Sequence, residues 1–327
     1  MSTDADGGAG RWEQGSPDPS AGATPAPREG SRLAVGVVSA GRVGAVLGAA
    51  LANAGHQVVA ASAVSRASRA RAEELLPGAE ILPPDEVVHR ADLVLLAVPD
   101  DVLPGLVRGL AASDCLRPGQ IVVHTCGAAG VGVLAPAAEY DVLPIALHPA
   151  MTITGRAEDV ARLTGACVGV TAPEGPGEDA EAAWLVGEAL VVEMGAEPVR
   201  IPEAVRPLYH AALAHGANHL VTLVREAADL LSGAGIEPAE RVLAPLLSAA
   251  LDNALRHGDR ALTGPVVRGD AGTIATHVRH LQERAPDAVP LYRALARRTA
   301  ERARAGGLLD ATAAQDVVDA LAERPRS

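Results

Sequence analysis

The chain has 327 residues, 48% of them hydrophobic, which is enough for a sizeable core and by length for about two domains. Its formal charge of −12 excludes a general affinity for nucleic acid or an anionic membrane, both of which need a basic surface. No window approaches the roughly 20 apolar residues of a membrane-crossing helix. The three cysteines, Cys115, Cys126 and Cys167, lack CxxC spacing, which argues against a disulfide framework or a zinc site and fits a cytoplasmic location. There is no lysine: all 28 basic residues are arginine, so no mechanism here can use a lysine side chain.

Residues 1–32 are rich in Gly, Pro, Ser, Ala and Asp and carry neither a basic start nor an apolar run, which predicts a disordered tail and not a leader peptide. The apolar run 33–38 has the length of a strand buried on both faces. Val43, Val46, Leu47, Ala50, Leu51 and Ala54 then recur at helical spacing, and Gly55 sits where a helix ends. Further strands are expected at 57–61, near Ile81, and at 93–98, 121–124, 142–147, 167–171 and 198–201, with helices at 68–76 and 181–192. Alternating strands and helices imply parallel βαβ units in a doubly wound sheet. After Pro202 the strand signals stop. Helices are expected at 206–231, 238–257, 272–282, 291–305 and 311–321, so the organisation reads as a tail (1–32), a dinucleotide-binding α/β domain (33–202) and an all-helical domain (203–327).

The first strand runs into Ser39-Ala40-Gly41-Arg42-Val43-Gly44, a G-x-G-x-x-G pattern with serine in the first glycine position. Following a strand and opening an amphipathic helix, it is the context in which Gly41 admits a pyrophosphate to the helix N-terminus and Gly44 allows close helix–strand packing. A tight turn without a ligand is the alternative. About 20 residues on, where an acid would bind the ribose of NAD, stand Ser65, Arg66 and Ser68. A guanidinium and two hydroxyls suit a 2′-phosphate, so NADP(H) is the expected cofactor.

The strand at 93–98 ends in Val98-Pro99-Asp100-Asp101, with Val98 and Pro99 placed to wall the nicotinamide and the aspartates read as helix caps. Two later strand ends carry His124-Thr125-Cys126-Gly127 and His148-Pro149, both expected to face the cleft, with Thr125 against the cofactor and His148 against substrate or cofactor. Cys126 reads either as a nucleophile or as a small buried thiol. In the first helix after residue 202, Arg206, His210, Asn218 and Thr222 form a polar stripe beside an apolar flank (Leu208, Ala212, Leu213, Leu220, Leu223), as in a core helix lining a site. His215 and His219 stand four apart, but no third ligand is evident, and no metal site is assigned. In the loop 262–270, Arg268 would clamp a substrate carboxylate, or the loop is an ordinary turn.

Together GVVSAGRVG (36–44), AVSRAS (63–68), ADLVLLAVPDD (91–101), VVHTCG (122–127), ALHPAMTITG (146–155), LYHAALAHGAN (208–218) and LTGPVVRGD (262–270) resemble a family that joins a Rossmann-like NADP-binding domain to a C-terminal domain of unknown function 2520. That family is similar to the group of 6-phosphogluconate and β-hydroxyacid dehydrogenases, ketopantoate reductases and pyrroline-5-carboxylate reductases. The resemblance implies a helical domain of 6-phosphogluconate-dehydrogenase-like type that binds a small-molecule substrate and pairs in a homodimer. It departs from the family where Cys126 stands in place of serine, and from the dehydrogenases in lacking their lysine acid. The implied activity is an NADPH-dependent reduction of a carbonyl or imine on a small carboxylate-bearing substrate, with a ketopantoate-like 2-oxo acid as first choice. His210 would replace lysine as the acid and Asn218 would bind the substrate oxygen. The other reading is an NADP(H)-binding sensor without chemistry.

Overall fold

The computed structural model describes residues 32–175 and 178–322; the expected tail, 1–32, lies outside them apart from Arg32. The chain divides into two compact units, Met1–Ala212 and Leu213–Ser327.

In the first unit, among the described residues, one sheet contains β1 (Ala34–Val38), β2 (Gln57–Ala61), β3 (Glu80–Ile81), β4 (Leu93–Leu96), β5 (Ile121–His124), β6 (Leu143–Pro149), β7 (Cys167–Thr171) and β8 (Glu197–Arg200). Their order is β3-β2-β1-β4-β5-β6-β7-β8, and every pair is parallel except β6 with β7, where His148 lies opposite Gly169. The chain therefore winds outward from β1 in one direction and then from β4 in the other. The two directions part between the carboxyl ends of β1 and β4, where doubly wound sheets bind ligands.

The uninterrupted apolar runs are explained by burial on both faces. In β4, Leu93 and Leu95 pack into one core cluster with Val35, Val37 and Leu47, while Val94 and Leu96 pack into another with Val87, Leu103 and Val107. Helices α1 (Arg42–Asn53), α2 (Arg66–Leu75) and α7 (Glu178–Glu193) contribute to the first cluster, and α3 (Pro84–Arg90), α4 (Leu103–Ala112) and α5 (Ala135–Ala138) to the second. Helices α3 to α5 add to the set expected from sequence. Each carries proline in its first turn, where no backbone N–H is needed, so a run that resembles a loop starts a helix instead. The strand expected to reach residue 98 ends at Leu96, because Ala97 bonds across to Val38 and the Pro99 carbonyl then accepts from Val102 and Leu103 to form a turn.

The unit holding the sheet extends past the expected boundary at 202 to Ala212, because the start of α8 (Arg206–Leu213) packs into it through the fully buried Arg206. The single helix expected over 206–231 is two helices. Between α8 and α9 (His219–Gly233) lies a π-helical turn, Ala214–Asn218.

The second unit continues with α10 (Ala239–His257), α11 (Ala271–Arg284), α12 (Val289–Ala305) and α13 (Ala311–Ala320). Ile274, Val278, Ala300, Val317 and Leu321 form its main core, and Ala228, Ala239 and Leu243 a smaller one between α9 and α10. Among the described residues no helix is long and apolar enough to cross a membrane.

The loop after β6 is ordered by one carboxylate. Asp159, in α6 (Ala157–Arg162), is fully buried, and its Oδ2 accepts from the Thr154, Gly155 and Arg156 amides and the Thr154 hydroxyl. Burial by itself raises its pKa, but these hydrogen bonds outweigh it and hold the carboxyl below the usual aspartate range. Asp159→Ala orphans those donors and is expected to cost about 2–4 kcal/mol in urea unfolding. Because the folded pKa is lowered, the contribution is full above about pH 4 and is lost as the pH falls through the folded value. The variant should therefore lose less stability than the parent on acidification below about pH 4; equal losses would assign Asp159 no charge-dependent role.

Candidate functional site

The glycine-rich loop stands at the carboxyl end of β1, on the near side of the switch point. Ser39 adopts a left-handed backbone (φ 76°), the conformation that favours glycine in the first fingerprint position. Its amide donates to the Ser62 hydroxyl at 2.8 Å and the Ala40 amide to the Ser62 carbonyl at 2.8 Å, so the end of β2 holds the turn. Gly41 is the cap residue of α1, with no side chain bonded to the helix start. A Cβ on Gly41 would meet only Ser39 Oγ at 3.5 Å and the Ala97 carbonyl oxygen at 4.0 Å, so its face is open for an approaching group. A Cβ on Gly44 would collide with the Ser39 carbonyl oxygen and lie 2.9 Å from the Ala97 Cβ, which makes glycine obligatory there. Arg42 is exposed at the start of α1 and Val43 is half-buried. An uncapped helix N-terminus above a bare glycine face fits a pyrophosphate.

At the end of β2, Ser65 caps α2. Its hydroxyl oxygen accepts from the Ser68 amide at 3.0 Å, and the buried Ser68 hydroxyl donates to the Ser65 carbonyl at 2.9 Å. Ser68 thus spends its proton on the helix start, whereas Arg66 beside it is exposed. Val64, just before the cap, is 92% exposed.

Across the switch point, Val98 is half-buried and Pro99 exposed. Neither aspartate caps α4: its cap residue is Val102, without a side-chain bond, because the turn begins at Pro99. Asp100 is exposed and its charge acts on the buried Cys126 thiol, helping to raise its pKa. The Thr125 amide donates to the Leu96 carbonyl at 3.2 Å, continuing the register of β5 on β4.

His124 departs from expectation. It does not face a cleft but is fully buried, with Nδ1 accepting from the Cys126 amide at 3.2 Å and Nε2 donating to the Gly130 carbonyl at 2.9 Å. Both nitrogens are spent on folding the loop after β5, and burial pushes its pKa down to about 4. Cys126 is buried with its sulfur 3.3 Å from the Ala129 amide, and burial raises its pKa, so the thiol stays protonated.

The loop locked in this way presents Gly127 to two histidines. A Cβ on Gly127 would collide with the His210 ring and lie 2.9 Å from His148 Nε2, so only glycine lets them meet there. The two imidazoles pack edge to face with centroids 5.6 Å apart. His148 Nδ1 is 3.1 Å from the Tyr209 hydroxyl, which also lies 3.5 Å from the His148 carbonyl oxygen; where the hydroxyl donates along the shorter contact, the ring proton sits on Nε2, beside Gly127. Burial, then the positive charge of Arg206, lowers the His148 pKa to about 4. Arg206 itself is fully buried. It donates from Nη1 to Thr171 Oγ1 at 2.7 Å and from Nη2 to the Cys126 carbonyl at 2.9 Å. Gly127 and Tyr209 are thus part of the constellation that sequence reasoning did not assign, although the HTCG motif held the signal for the first; Arg206 was legible only as the start of the polar stripe, with no role.

The polar stripe expected over Arg206, His210, Asn218 and Thr222 is interrupted. The π turn at 214–218 offsets the residues beyond it from the i, i+4 progression, and Asn218 is exposed at its end. Nor is this a core helix. Leu208 is 73% exposed, and in α9 only Ala228 is buried. His215 and His219 contact each other through Nδ1 at 3.0 Å. Arg268 is exposed in a compact turn whose last residue, Asp270, caps α11 through the Thr273 amide and hydroxyl. Asn218 and Arg268 belong to the second unit, and the first unit by itself brings together His148, Tyr209 and His210.

Residues 17–149 match the family model for a Rossmann-like domain, and residues 175–299 that for a domain of unknown function, DUF2520. No curated protein sequence matches the chain. Among solved structures it is similar to a provisionally assigned NADP oxidoreductase of Bacteroides fragilis (22% identity, 82% of this chain and 98% of that one, TM-score 0.65). It is also similar to a Thermotoga maritima protein (18% identity, 84% and 99%, TM-score 0.60) and to a variant imine reductase from Myxococcus stipitatus in complex with NAD+ (16% identity, 89% and 99%, TM-score 0.56). At these identities the likeness shows the fold.

Two measurements check this geometry. Ser39→Gly removes a left-handed strain and is expected to raise stability by up to about 1 kcal/mol, whereas Gly44→Ala is expected to lower it by about 1–3 kcal/mol; equal effects would mean that the loop is not built as described. Separately, His124 and His148 have folded pKa values below the ordinary histidine value, so each takes up a proton on unfolding between about pH 6.5 and 4. Stability in urea is expected to be full above that window and to fall as pH decreases through it. A flat profile there would mean that neither ring is held neutral.

Proposed function

From a chain that carries a Rossmann-like domain followed by a domain of unknown function 2520, we propose an NADPH-dependent oxidoreductase that reduces the carbonyl or imine of a small carboxylate-bearing molecule, a ketopantoate-like 2-oxo acid being the first candidate. The observation that carries this reading is the placement of an open glycine loop and a histidine pair along one edge of one sheet. The loop stands at the end of β1 and the histidines meet at the ends of β5 and β6, with β4 between. Three strand spacings of about 4.8 Å separate β1 from β6, roughly 14 Å, a span suited to an extended dinucleotide.

Gly41 and the start of α1 would hold the pyrophosphate. Ser65 and the exposed Arg66 would bind the 2′-phosphate, with Ser68 keeping the α2 cap in place for them. Val98, Pro99 and Thr125 would line the nicotinamide end. When bound, the nicotinamide supplies a hydride to an electrophilic carbon. His148, neutral at pH 7, has no proton to spare but can donate a hydrogen bond from Nε2, which orients the substrate oxygen or nitrogen. His210, against the same glycine, would give the proton that the reduced oxygen needs, in place of the absent lysine. Asn218 and Arg268 remain candidates for the substrate oxygen and carboxylate. A homodimer through the helical region is part of the proposal, supported by the exposed Val221, Leu246, Leu251 and Leu255.

In a fluorescence titration NADPH is expected to bind more tightly than NADH, and Arg66→Ala to remove that preference. Among proteins that bind NADPH, His210→Ala is expected to lower kcat by about 10²-fold or more with nucleotide affinity unchanged. Unchanged kcat removes His210 from the chemistry. Binding without turnover of any 2-oxo acid or cyclic imine would favour an NADP(H) sensor, and no binding of either nucleotide would end both readings.

A further inference from the structure

Arg206 is a buried positive charge that no carboxylate contacts. Its side chain is completely buried, and its three nitrogens meet only neutral groups or nothing: the Thr171 hydroxyl, the Cys126 carbonyl and, at Nε, no hydrogen-bond partner among the described residues. Of the acids nearby, Glu203 acts on it only through space, since both its oxygens accept from backbone amides, those of Val131 and Gly132, and Asp100 is exposed, where solvent screens it. The other titratable groups around it, His124, His148, His210, Tyr209 and Cys126, carry no negative charge to cancel it. Its Cys126 contact puts the guanidinium one residue from Gly127, where His148 and His210 meet.

We propose that Arg206 determines which electrophile this site accepts: its buried charge, touched by no carboxylate, selects an anionic compound with a neutral carbonyl beside its carboxylate and rejects an iminium cation. The inference rests on the reductase reading above and narrows its substrate class. In carbonyl reduction the hydride bonds to carbon, the C=O π pair moves to oxygen, and the oxygen is negative until a proton reaches it. A nearby positive charge stabilises both that oxygen and the substrate carboxylate. An imine accepts hydride as the iminium, already protonated, and its positive charge disappears as the C–H bond forms. Relative to water, the same guanidinium opposes that cation both when bound and in its transition state. At the effective dielectric of a protein site, one unit charge several ångströms away changes such an equilibrium by about tenfold or more. Burial first, and then the same field, lowers the basicity of His148, whose protonated ring is a cation that the protein itself could form.

The test compares two five-carbon substrates, 2-oxopentanoate and 2-methyl-1-pyrroline, with NADPH at pH 7. The wild-type kcat/KM is expected to favour the 2-oxo acid by at least tenfold. Arg206→Met should reduce that ratio at least tenfold, and Arg206→Lys should restore it, since lysine keeps the charge but not the two-pronged packing. A second readout is the His148 titration by NMR without substrate: its midpoint should rise in Arg206→Met and return in Arg206→Lys. A wild-type preference for the pyrroline, or an unchanged ratio in a folded Arg206→Met, overturns the proposal. Where Arg206→Met does not fold, calorimetry on the NADPH-loaded wild type decides. Oxamate binding at least tenfold tighter than pyrrolidine supports the inference, and the reverse order overturns it. If NADPH binds but no 2-oxo acid or cyclic imine of a wider panel is reduced, the reductase reading fails, while the oxamate and pyrrolidine comparison still judges the charge selection.

Discussion

One buried guanidinium ties the first unit together at its working edge. Removing an arginine from water costs several kcal/mol unless its hydrogen bonds are remade. Arg206 remakes two of them, on the last residue of β7 and on the backbone of the loop after β5. Thr171 in turn passes its own proton to the Ile201 carbonyl, so the end of β8 is drawn into the same chain of bonds. The first turns of α8 are thereby bound to the sheet, and Tyr209 and His210 come to rest beside His148.

Around that anchor, the loop after β5 is satisfied almost entirely from within. His124 bonds both Cys126 and Gly130, Glu203 receives the Val131 and Gly132 amides, and Cys126 accepts from Ala129. A polar network with nearly every member paired is rigid. Rigidity matters here because Gly127 must keep its bare face toward two rings that leave no space for a methyl group. Histidine thus has two unlike placements at neighbouring strand ends: one ring with both nitrogens spent on the loop, the other with Nε2 beside Gly127 and the His210 ring.

Much of the α/β unit was legible residue by residue. The strands at 57–61, 121–124 and 167–171 lie where alternating apolar runs place them, since strands buried on both faces leave few polar positions to blur their limits. Gly44 was legible because its reason is local: helix and strand are adjacent in sequence as well as in space. The short proline-led helices were missed, since proline marks a helix start and a turn with the same letter. The polar stripe failed for a subtler reason. An i, i+4 count assumes an unbroken α-helix, and the π turn at 214–218 breaks it without any residue that announces the change.

The amino-acid sequence by itself determined the order and type of the principal elements, the glycine-rich turn between β1 and α1 and the absence of any lysine-based chemistry, because each depends on neighbours within a few residues or on composition alone. Only the tertiary structure decided which side chains act together. Cys126 and Arg206 are 80 residues apart, and His148 and Tyr209 61, yet each pair is joined by a hydrogen bond. Such contacts arise from the order in which strands add to the sheet, and no periodicity records that order. Burial made the same kind of decision for the two histidines. Chain position made them look alike, and the space around each ring gave one two backbone partners and placed the other against Tyr209 and His210.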